Sequence, residues 1–284
     1  MDYLGYGLMH FLVTGAQGFL GDRVVNTLRN RGATVTSTGR TPSNVAVYCD
    51  LTVAEDVAQM IESVSPDRIV HCAANVPSSF DEYEDVSAAE INLRMVNNIL
   101  SATSCPMVYI SSMTVYGKEI NRPVAEEDAV NPTSAYGNSK WQSEKLLLKD
   151  GRASFAVRIP GLFGPSRNDG LVYKLIRAIK YDDEIPILPD FPVLWAAMHV
   201  DDAAESIASL AMSKMEGFEV VNVGYSGKYS IATLIKAVCD LFDRNIDYSV
   251  NQPSFEFNLS RALRHNAIPE SSFYESLVKF ANQI

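Results

Sequence analysis

The sequence predicts an α/β fold: a doubly wound parallel sheet with a smaller C-terminal α/β lobe. Three observations predict it. Short β-branched apolar runs alternate with helical patterns from Phe11 to Arg158, and such alternation builds right-handed βαβ units around a parallel sheet covered on both faces. A glycine-rich turn, Thr14-Gly15-Ala16-Gln17-Gly18-Phe19-Leu20-Gly21, stands between the first strand and the first helix. After Pro160 the texture changes, as Pro160, Pro165, Pro186, Pro189 and Pro192 break the chain into short pieces. Residues 1–160 are therefore expected to form the first domain. Residues 161–284 are expected to form mainly the second lobe, with some segments returning to the first.

The elements follow in order. Residues 11–13 make a short buried strand ending in the turn. Residues 20–29 read as a helix with Leu20, Val24, Val25 and Leu28 on one face. Residues 33–38 are a second strand, rich in β-branched side chains. A helical pattern over 57–64 is stopped by Ser65-Pro66. Strands over 68–72, 107–111 and 154–158 alternate with helices over 88–102 and 135–149. Later helical patterns cover 171–179, 203–212 and 231–242. No internal repeat, low-complexity stretch or flexible linker interrupts the sequence.

Composition narrows the class. The 284 residues are 47% hydrophobic and 20% charged, as in an ordinary soluble globule able to bury a core without staples. A net charge of −10 speaks against a nucleic-acid binder, which needs a basic footprint. It leaves room for a phosphorylated ligand, because a few N–H groups and one Arg can hold that. Cys49, Cys72, Cys105 and Cys239 form no C-x-x-C pair and read as core thiols rather than metal ligands. No apolar run reaches the roughly 18 residues of a membrane span. The first ten residues lack a basic signal-peptide region. No membrane partner and a cytoplasmic location are expected.

Gly15, Gly18 and Gly21 are spaced G-x-x-G-x-x-G between a strand and a helix. This is the context of a Rossmann-type dinucleotide site. Gly15 permits the tight turn, Gly18 lets the backbone approach a pyrophosphate at the helix N-terminus, and Gly21 lets helix and strand pack closely. Gln17, Phe19 and Leu20 belong to the same cofactor-binding turn. The end of the second strand separates NAD from NADP, by an acidic residue for a ribose 2′-hydroxyl or an Arg for a 2′-phosphate. Here it reads Thr38-Gly39-Arg40-Thr41, with Arg40 25 residues after Gly15. NADP(H) is therefore preferred and NAD(H) is possible, with a solvated surface Arg as the plainer alternative.

A second string is Tyr136-Gly137-Asn138-Ser139-Lys140, and Ser112 lies 24 residues before the Tyr. Residues four apart on a helix share a face. A phenol of pKa near 10 is a poor base at neutral pH. An ammonium one turn away favours the phenolate and lowers that pKa. The same Lys can hydrogen-bond ribose hydroxyls, while Ser112 can orient a substrate oxygen.

At these residues the chain resembles the extended short-chain dehydrogenase/reductases, the group called NAD-dependent epimerase/dehydratases, most of which act on nucleotide sugars. The resemblance covers nearly the whole chain. It also takes in Asp50-Leu51, His71-Cys72-Ala73-Ala74, Asn92, Ser111-Ser112-Met113-Thr114-Val115-Tyr116-Gly117, residues 158–165, His199-Val200-Asp201-Asp202 and Asn222-Val223-Gly224. It implies that Asp50 and Leu51 border the adenine, Ala73 and Ala74 line the cofactor groove, and Pro160 approaches the nicotinamide. It further implies Tyr136 as acid/base, Lys140 as its partner, Ser112 as the substrate contact, and a homodimer formed through helices 88–102 and 135–149. His71 reads as a structural hydrogen-bonder and Asp201-Asp202 as a helix cap. Asn92 reads as a cofactor contact or as the brace of a turn.

Departures from the family narrow the reaction. Sugar 4,6-dehydratases carry Asp-Glu directly after the catalytic hydroxyl, where this chain has Met113 and Thr114; dehydration is rejected. The epimerase-reductases that make GDP-fucose need a Cys at position 113 and a later His, which residues 168–177 lack; 3,5-epimerisation is rejected. Gly161 replaces an Asn that usually helps hold the nucleotide diphosphate. Two chemistries survive: an NADPH-dependent 4-ketoreductase of a nucleotide-linked sugar, which Arg40 favours, and an NAD-dependent 4-epimerase. A catalytically inert NADP-binding or regulatory module is the third reading, opposed by the intact Ser112, Tyr136 and Lys140. The substrate, expected to be a nucleotide-diphosphate sugar, should meet segments 76–83, 113–114, 161–173, 186–198 and 255–264. Candidates there are Val76, Met113, Thr114, Arg167, Trp195 and Arg261, with Arg264 beside them.

Overall fold

A computed structural model describes residues 9–41, 45–79, 81–117, 122–186, 193–246 and 253–284. Residues 1–8, position 80 of the 76–83 segment, and 187–192 of the 186–198 segment, with Pro189 and Pro192, lie outside the described residues.

The chain runs β1 (His10–Thr14), α1 (Phe19–Asn30), β2 (Thr34–Gly39), β3 (Val47–Tyr48), α2 (Ala54–Val64), β4 (Arg68–His71), α3 (Val86–Ala102), β5 (Met107–Ser112), α4 (Ala135–Asp150) and β6 (Ser154–Ile159). There follow β7 (Gly161–Phe163), α5 (Leu171–Tyr181), β8 (Ala197–His199), α6 (Val200–Met212), β9 (Phe218–Asn222), α7 (Ile231–Phe242), α8 (Ser260–Arg264) and α9 (Phe273–Ala281). Seven strands form one parallel sheet in the order β3-β2-β1-β4-β5-β6-β9, and β7 and β8 form a separate parallel pair. Chain order reverses between β1 and β4, and the crevice outside the strand C-termini at such a switch point is where open α/β sheets bind ligands.

Alternation along β1 builds two cores. Phe11 and Val13 pack with Val24, Leu28 and Ile207 on the face covered by α1 and α6. Leu12 packs with Val57, Ile61, Val96 and Ile99 on the face covered by α2 and α3. A strand residue buried on both sides carries no polar alternation. All six positions of β5 and all six of β6 are buried, and the two pair along their whole length from Met107↔Ser154 to Ser112↔Ile159. Each apolar side chain so buried contributes about 1.5–3 kcal/mol.

Several expectations change. α2 begins at Ala54, not at 57, and α3 at Val86, not at 88, where the Asp85 carboxylate accepts from Ala88 N at 3.0 Å. Apolar periodicity starts at the first core contact, one turn or part of a turn inside the real end. β3, β7, β8, β9, α8 and α9 had no counterpart in the sequence reading. Asp201 and Asp202 do not cap α6: His199 is the N-cap, its Nδ1 accepting from Asp201 N at 3.3 Å. The carboxylates sit in the first turn, where the helix dipole favours them. Asp201 pairs with Arg23 at 3.1 Å, and Asp202 accepts from Tyr225 and Ser276. Among the described residues no helix is long and apolar enough to cross a membrane.

Candidate active site

The glycine turn is fixed by close contacts. Gly15 adopts φ +65°, and a Cβ there would stand 2.6 Å from Ala73 N. A Cβ on Gly21 would stand 2.1 Å from Gly15 O. The turn is thus pressed onto the end of β4, and α1 onto the turn. Beneath it, Thr14 Oγ1 and His71 Nδ1 are 2.7 Å apart. Burial pulls the His71 pKa down to about 3, so the ring is neutral. The N-cap of α1 is the exposed Gly18, and no side chain caps the helix. First-turn N–H groups of a helix lack intrahelical acceptors, and together with the dipole they favour an anion. Phe19 and Leu20, both half-buried, open the helix at this point.

The Gln17 side chain ties the glycine turn to the chain after β2. Its Nε2 donates to Thr41 O at 2.8 Å and its Oε1 accepts from Thr41 N at 3.1 Å, fastening the chain after β2 to the turn. Arg40 is exposed beside that chain. Asp50 is held below the usual carboxylate range first by the Thr52 N–H and hydroxyl, at 2.9 and 2.8 Å, with the Arg40 charge adding to them. Leu51 is buried, and Thr38 Oγ1 is buried with no partner among the described residues. Asn92 braces a turn: its amide exchanges bonds of 2.7 and 3.1 Å with the Asn75 backbone, just after the half-buried Ala73 and Ala74. Pro160 is buried where β6 ends.

The residues expected to transfer a proton lie around the C-terminal end of β5. Ser112 closes that strand, and its Oγ accepts from Thr114 N at 3.2 Å and Thr114 Oγ1 at 3.0 Å. Ser134 caps α4, accepting from Gly137 N at 3.1 Å. A Cβ on Gly137 would lie 2.8 Å from Thr114 O, so the first turn of α4 is seated on the Ser112–Thr114 turn. Lys140 is 3% exposed. Its Nζ donates to Ile110 O at 2.9 Å and lies 5.1 Å from the Tyr109 ring centroid and 5.5 Å from that of Tyr136. Tyr109 in turn stacks on His71 at 5.9 Å, which links Lys140 to the floor of the glycine turn. Burial pulls the Lys140 pKa down to about 8.

Tyr136 corrects an expectation. Spacing alone suggests that Lys140 lowers its pKa, but burial pushes the phenol up, and the neighbouring Tyr83 adds to the rise. Desolvation sets the direction, and the Lys140 ammonium is bonded to the Ile110 carbonyl. Tyr83 packs edge-on against Tyr136 with centroids 5.6 Å apart. Beside them opens a small cleft lined by Asn75, Val76, Pro77 and Tyr136.

Other substrate candidates disperse. Met113 is buried with Val115, Tyr116, Phe255 and Phe257. Trp195 is half-buried, its ring 6.2 Å from Phe273. Arg261 is bound to Val220 O at 3.0 Å, Glu127 at 3.1 Å and Glu126 at 3.5 Å, and Arg264 to Glu219 at 2.8 Å. Arg167 does reach the glycine turn, with Cζ 5.8 Å from the Phe19 ring centroid. Sequence reasoning missed Glu144, one turn beyond Lys140. It accepts from Arg158 Nε at 3.0 Å, Arg158 Nη2 at 2.7 Å and Ser111 Oγ at 2.5 Å, all buried. The only sequence signal was a carboxylate on the otherwise buried face of α4.

Residues 11–224 match the sequence model of the NAD dependent epimerase/dehydratase family. The chain is 32% identical over 155 residues to methionine adenosyltransferase 2 subunit beta of Danio rerio, covering 54% of this chain and 48% of that protein. It therefore spans about half the length of that relative. It is 27% identical over 218 residues to dTDP-4-dehydrorhamnose reductase of Streptomyces griseus, covering 75% and 68% of the two chains. The crystal structure of UDP-glucose 4-epimerase with UDP-glucose from Thermotoga maritima has the same fold, with a TM-score of 0.82 over 96% of this chain and 98% of that one at 19% identity.

Proposed function

The chain belongs to the NAD-dependent epimerase/dehydratase family, and on that premise we propose that it is an NADP(H)-dependent oxidoreductase, a 4-ketoreductase of a nucleotide-linked sugar. One observation carries the reading. The seating of α4 on the Ser112–Thr114 turn sets Tyr136 and Lys140 at the C-terminal end of β5, the strand that Ser112 closes, in the same sheet whose β1 leads into an α1 N-terminus that no side chain caps. The residues suit a dinucleotide: Gly18 leaves the helix N-terminus open, and the Thr38 hydroxyl and Arg40 stand at the end of β2.

A bound nicotinamide would supply the hydride. Ser112 takes both Thr114 bonds as acceptor, which leaves its own hydrogen for the substrate oxygen. Tyr136, kept protonated by burial, gives its proton to that oxygen as negative charge develops there. Lys140, a cation below about pH 8, offsets the phenolate left behind. Met113 and Thr114 offer no acid–base pair for removing water. Residues 161–284 supply most of the substrate lobe, with Val76, Thr114 and the 161–173 segment toward the sugar, and a homodimer forms through α3 and α4. The similarity to a protein named as a reductase supports the direction of the reaction. A second reading, an NADP-binding regulatory module, draws support from the relative named as a subunit of methionine adenosyltransferase.

The test is a titration of purified protein with NADPH and NADH, after denaturation of a sample to release any cofactor that co-purifies. Exchangeable NADPH bound more tightly than NADH, with turnover of a nucleotide 4-keto-sugar, supports the reductase. Retained NAD overturns it in favour of a 4-epimerase. Affinity for NADPH with no turnover of any such ketone overturns it in favour of the module.

A further inference from the structure

The loop after β7 is built to hold one cation over the glycine turn. Three of its residues have positive φ, Gly164 at +144°, Ser166 at +76° and Gly170 at +89°. A serine in that region is strained, and persists only where its surroundings over-determine it. Here they do. Arg23, on the second turn of α1, donates from Nη2 to Pro165 O at 3.4 Å and to Ser166 Oγ at 3.5 Å, while its Nε bonds Asp201 at 3.1 Å. A Cβ on Gly164 would stand 2.9 Å from Val200 Cγ1, so the loop is also pressed against the start of α6. The chain then closes a turn, Arg167 N donating to Gly164 O at 3.4 Å.

The side chain so presented is Arg167. Its Nη1 donates to Leu162 O at 3.3 Å, and its Cζ lies 5.8 Å from the ring centroid of Phe19, the first residue of α1. The guanidinium has five donors. Asp169, the nearby carboxylate, is paired with Lys174 at 2.8 Å. Arg23, the first cation of α1, is itself occupied by Asp22 and Asp201. We propose that Arg167 clamps the pyrophosphate of the dinucleotide from the side opposite the α1 N-terminus, serving the cofactor and not the substrate diphosphate. The inference rests on reading the glycine turn as a dinucleotide site. A planar fork over a helix N-terminus meets a pyrophosphate from two faces, with charge-assisted bonds on one and N–H groups on the other.

Calorimetric binding of ADP-ribose, adenosine and UDP to the wild-type chain, Arg167→Gln and Arg167→Lys tests this, with thermal unfolding as the control for folding. Arg167→Gln should weaken ADP-ribose about tenfold or more, the loss of a hydrogen bond to a charged group. Adenosine and UDP should be unaffected, and Arg167→Lys should fall between the wild type and Arg167→Gln. Equal affinity of wild type and Arg167→Gln for ADP-ribose overturns the clamp, as does weakened UDP binding with ADP-ribose unchanged, which returns Arg167 to the substrate. A wild-type chain that binds neither ADP-ribose nor NADPH overturns the dinucleotide site itself, a result separate from either.

Discussion

Removing the Glu144 carboxylate should cost more than any other single change near the site that leaves the catalytic residues in place. Glu144 and Arg158 are each 4% exposed in their side chains and 2.7 Å apart. Arg158 also stacks over Tyr116, its Cζ 4.8 Å from the ring centroid, and donates to Glu126 O at 3.3 Å. Neither of those contacts neutralises it. Glu144→Ala therefore leaves a buried guanidinium without its counter-charge and Ser111 Oγ without its acceptor. Breaking a buried pair from one side costs about 3–5 kcal/mol, and in a domain of this size each kcal/mol is about 2–4 °C, so the thermal midpoint should fall by roughly 10 °C. The double variant Glu144→Leu/Arg158→Met removes both charges at similar volume and should recover most of that loss. Scanning calorimetry on the three proteins decides it. A midpoint within about 2 °C of wild type for Glu144→Ala, or a double variant no better than the single one, would refute the claim that an unpaired Arg158 is the source of the cost.

Three further outcomes follow from the site. Tyr136→Phe removes the phenolic proton, so turnover should drop by about 10²–10⁴ while NADPH affinity stays within a small factor; unchanged turnover would remove Tyr136 from the chemistry. Arg40→Asp should turn the preference from NADPH toward NADH, measured as the ratio of their affinities, and an unaltered ratio would mean that Arg40 does not meet the 2′-phosphate. Lys140 has a folded pKa of about 8, below its ordinary 10.5. The folded chain thus holds fewer protons than the unfolded one between those values, and its stability should rise with pH across that window. Against Lys140→Met, the wild-type midpoint should gain between pH 7.5 and 10, and a pH-independent difference would contradict the depressed pKa.

What could be read in the sequence was what depends on short range. The strand–turn–helix at Gly15–Gly21 and the pair Tyr136 and Lys140 are each set by spacing within one or two elements, and both could be read. β9 could not be placed, although Gly217 followed by Phe-Glu-Val-Val-Asn is a fair strand signal, because its position beside β6 depends on pairing Ser154 with Phe218 across a long stretch of chain. The same holds for β7 and β8, three residues each. The cap of α6 went to His199 rather than to the carboxylates, a choice made by which side chain reaches Asp201 N. Glu144 went unread because its role depends on Arg158, brought beside it from β6. Arg167 was legible as a candidate anion contact, but its place beside Phe19 was not, since the loop that carries it is tied to α1 by Arg23.

The direction of the Tyr136 shift bears on which chemistry the site favours. Spacing said only that an ammonium is near a phenol. Burial adds that both are desolvated, and desolvation disfavours the phenolate and the ammonium alike. With Lys140 Nζ bonded to Ile110 O, the phenol stays in its acid form at neutral pH. A ketoreductase begins with that form, because the carbonyl oxygen must receive a proton as hydride arrives. A 4-epimerase begins with the other form, because a substrate hydroxyl must lose its proton before hydride leaves the carbon. It would first have to expel the Tyr136 proton against burial, and to do so it would need Lys140 to swing from Ile110 O toward the phenolic oxygen. On the reductase reading proposed above, the acid form of Tyr136 is the one from which the reaction begins. The pH dependence separates the two readings further: an acid-form Tyr136 gives a reduction rate flat through neutrality and falling as Lys140 loses its charge near pH 8, whereas a base-form requirement gives a rate that climbs over the same range.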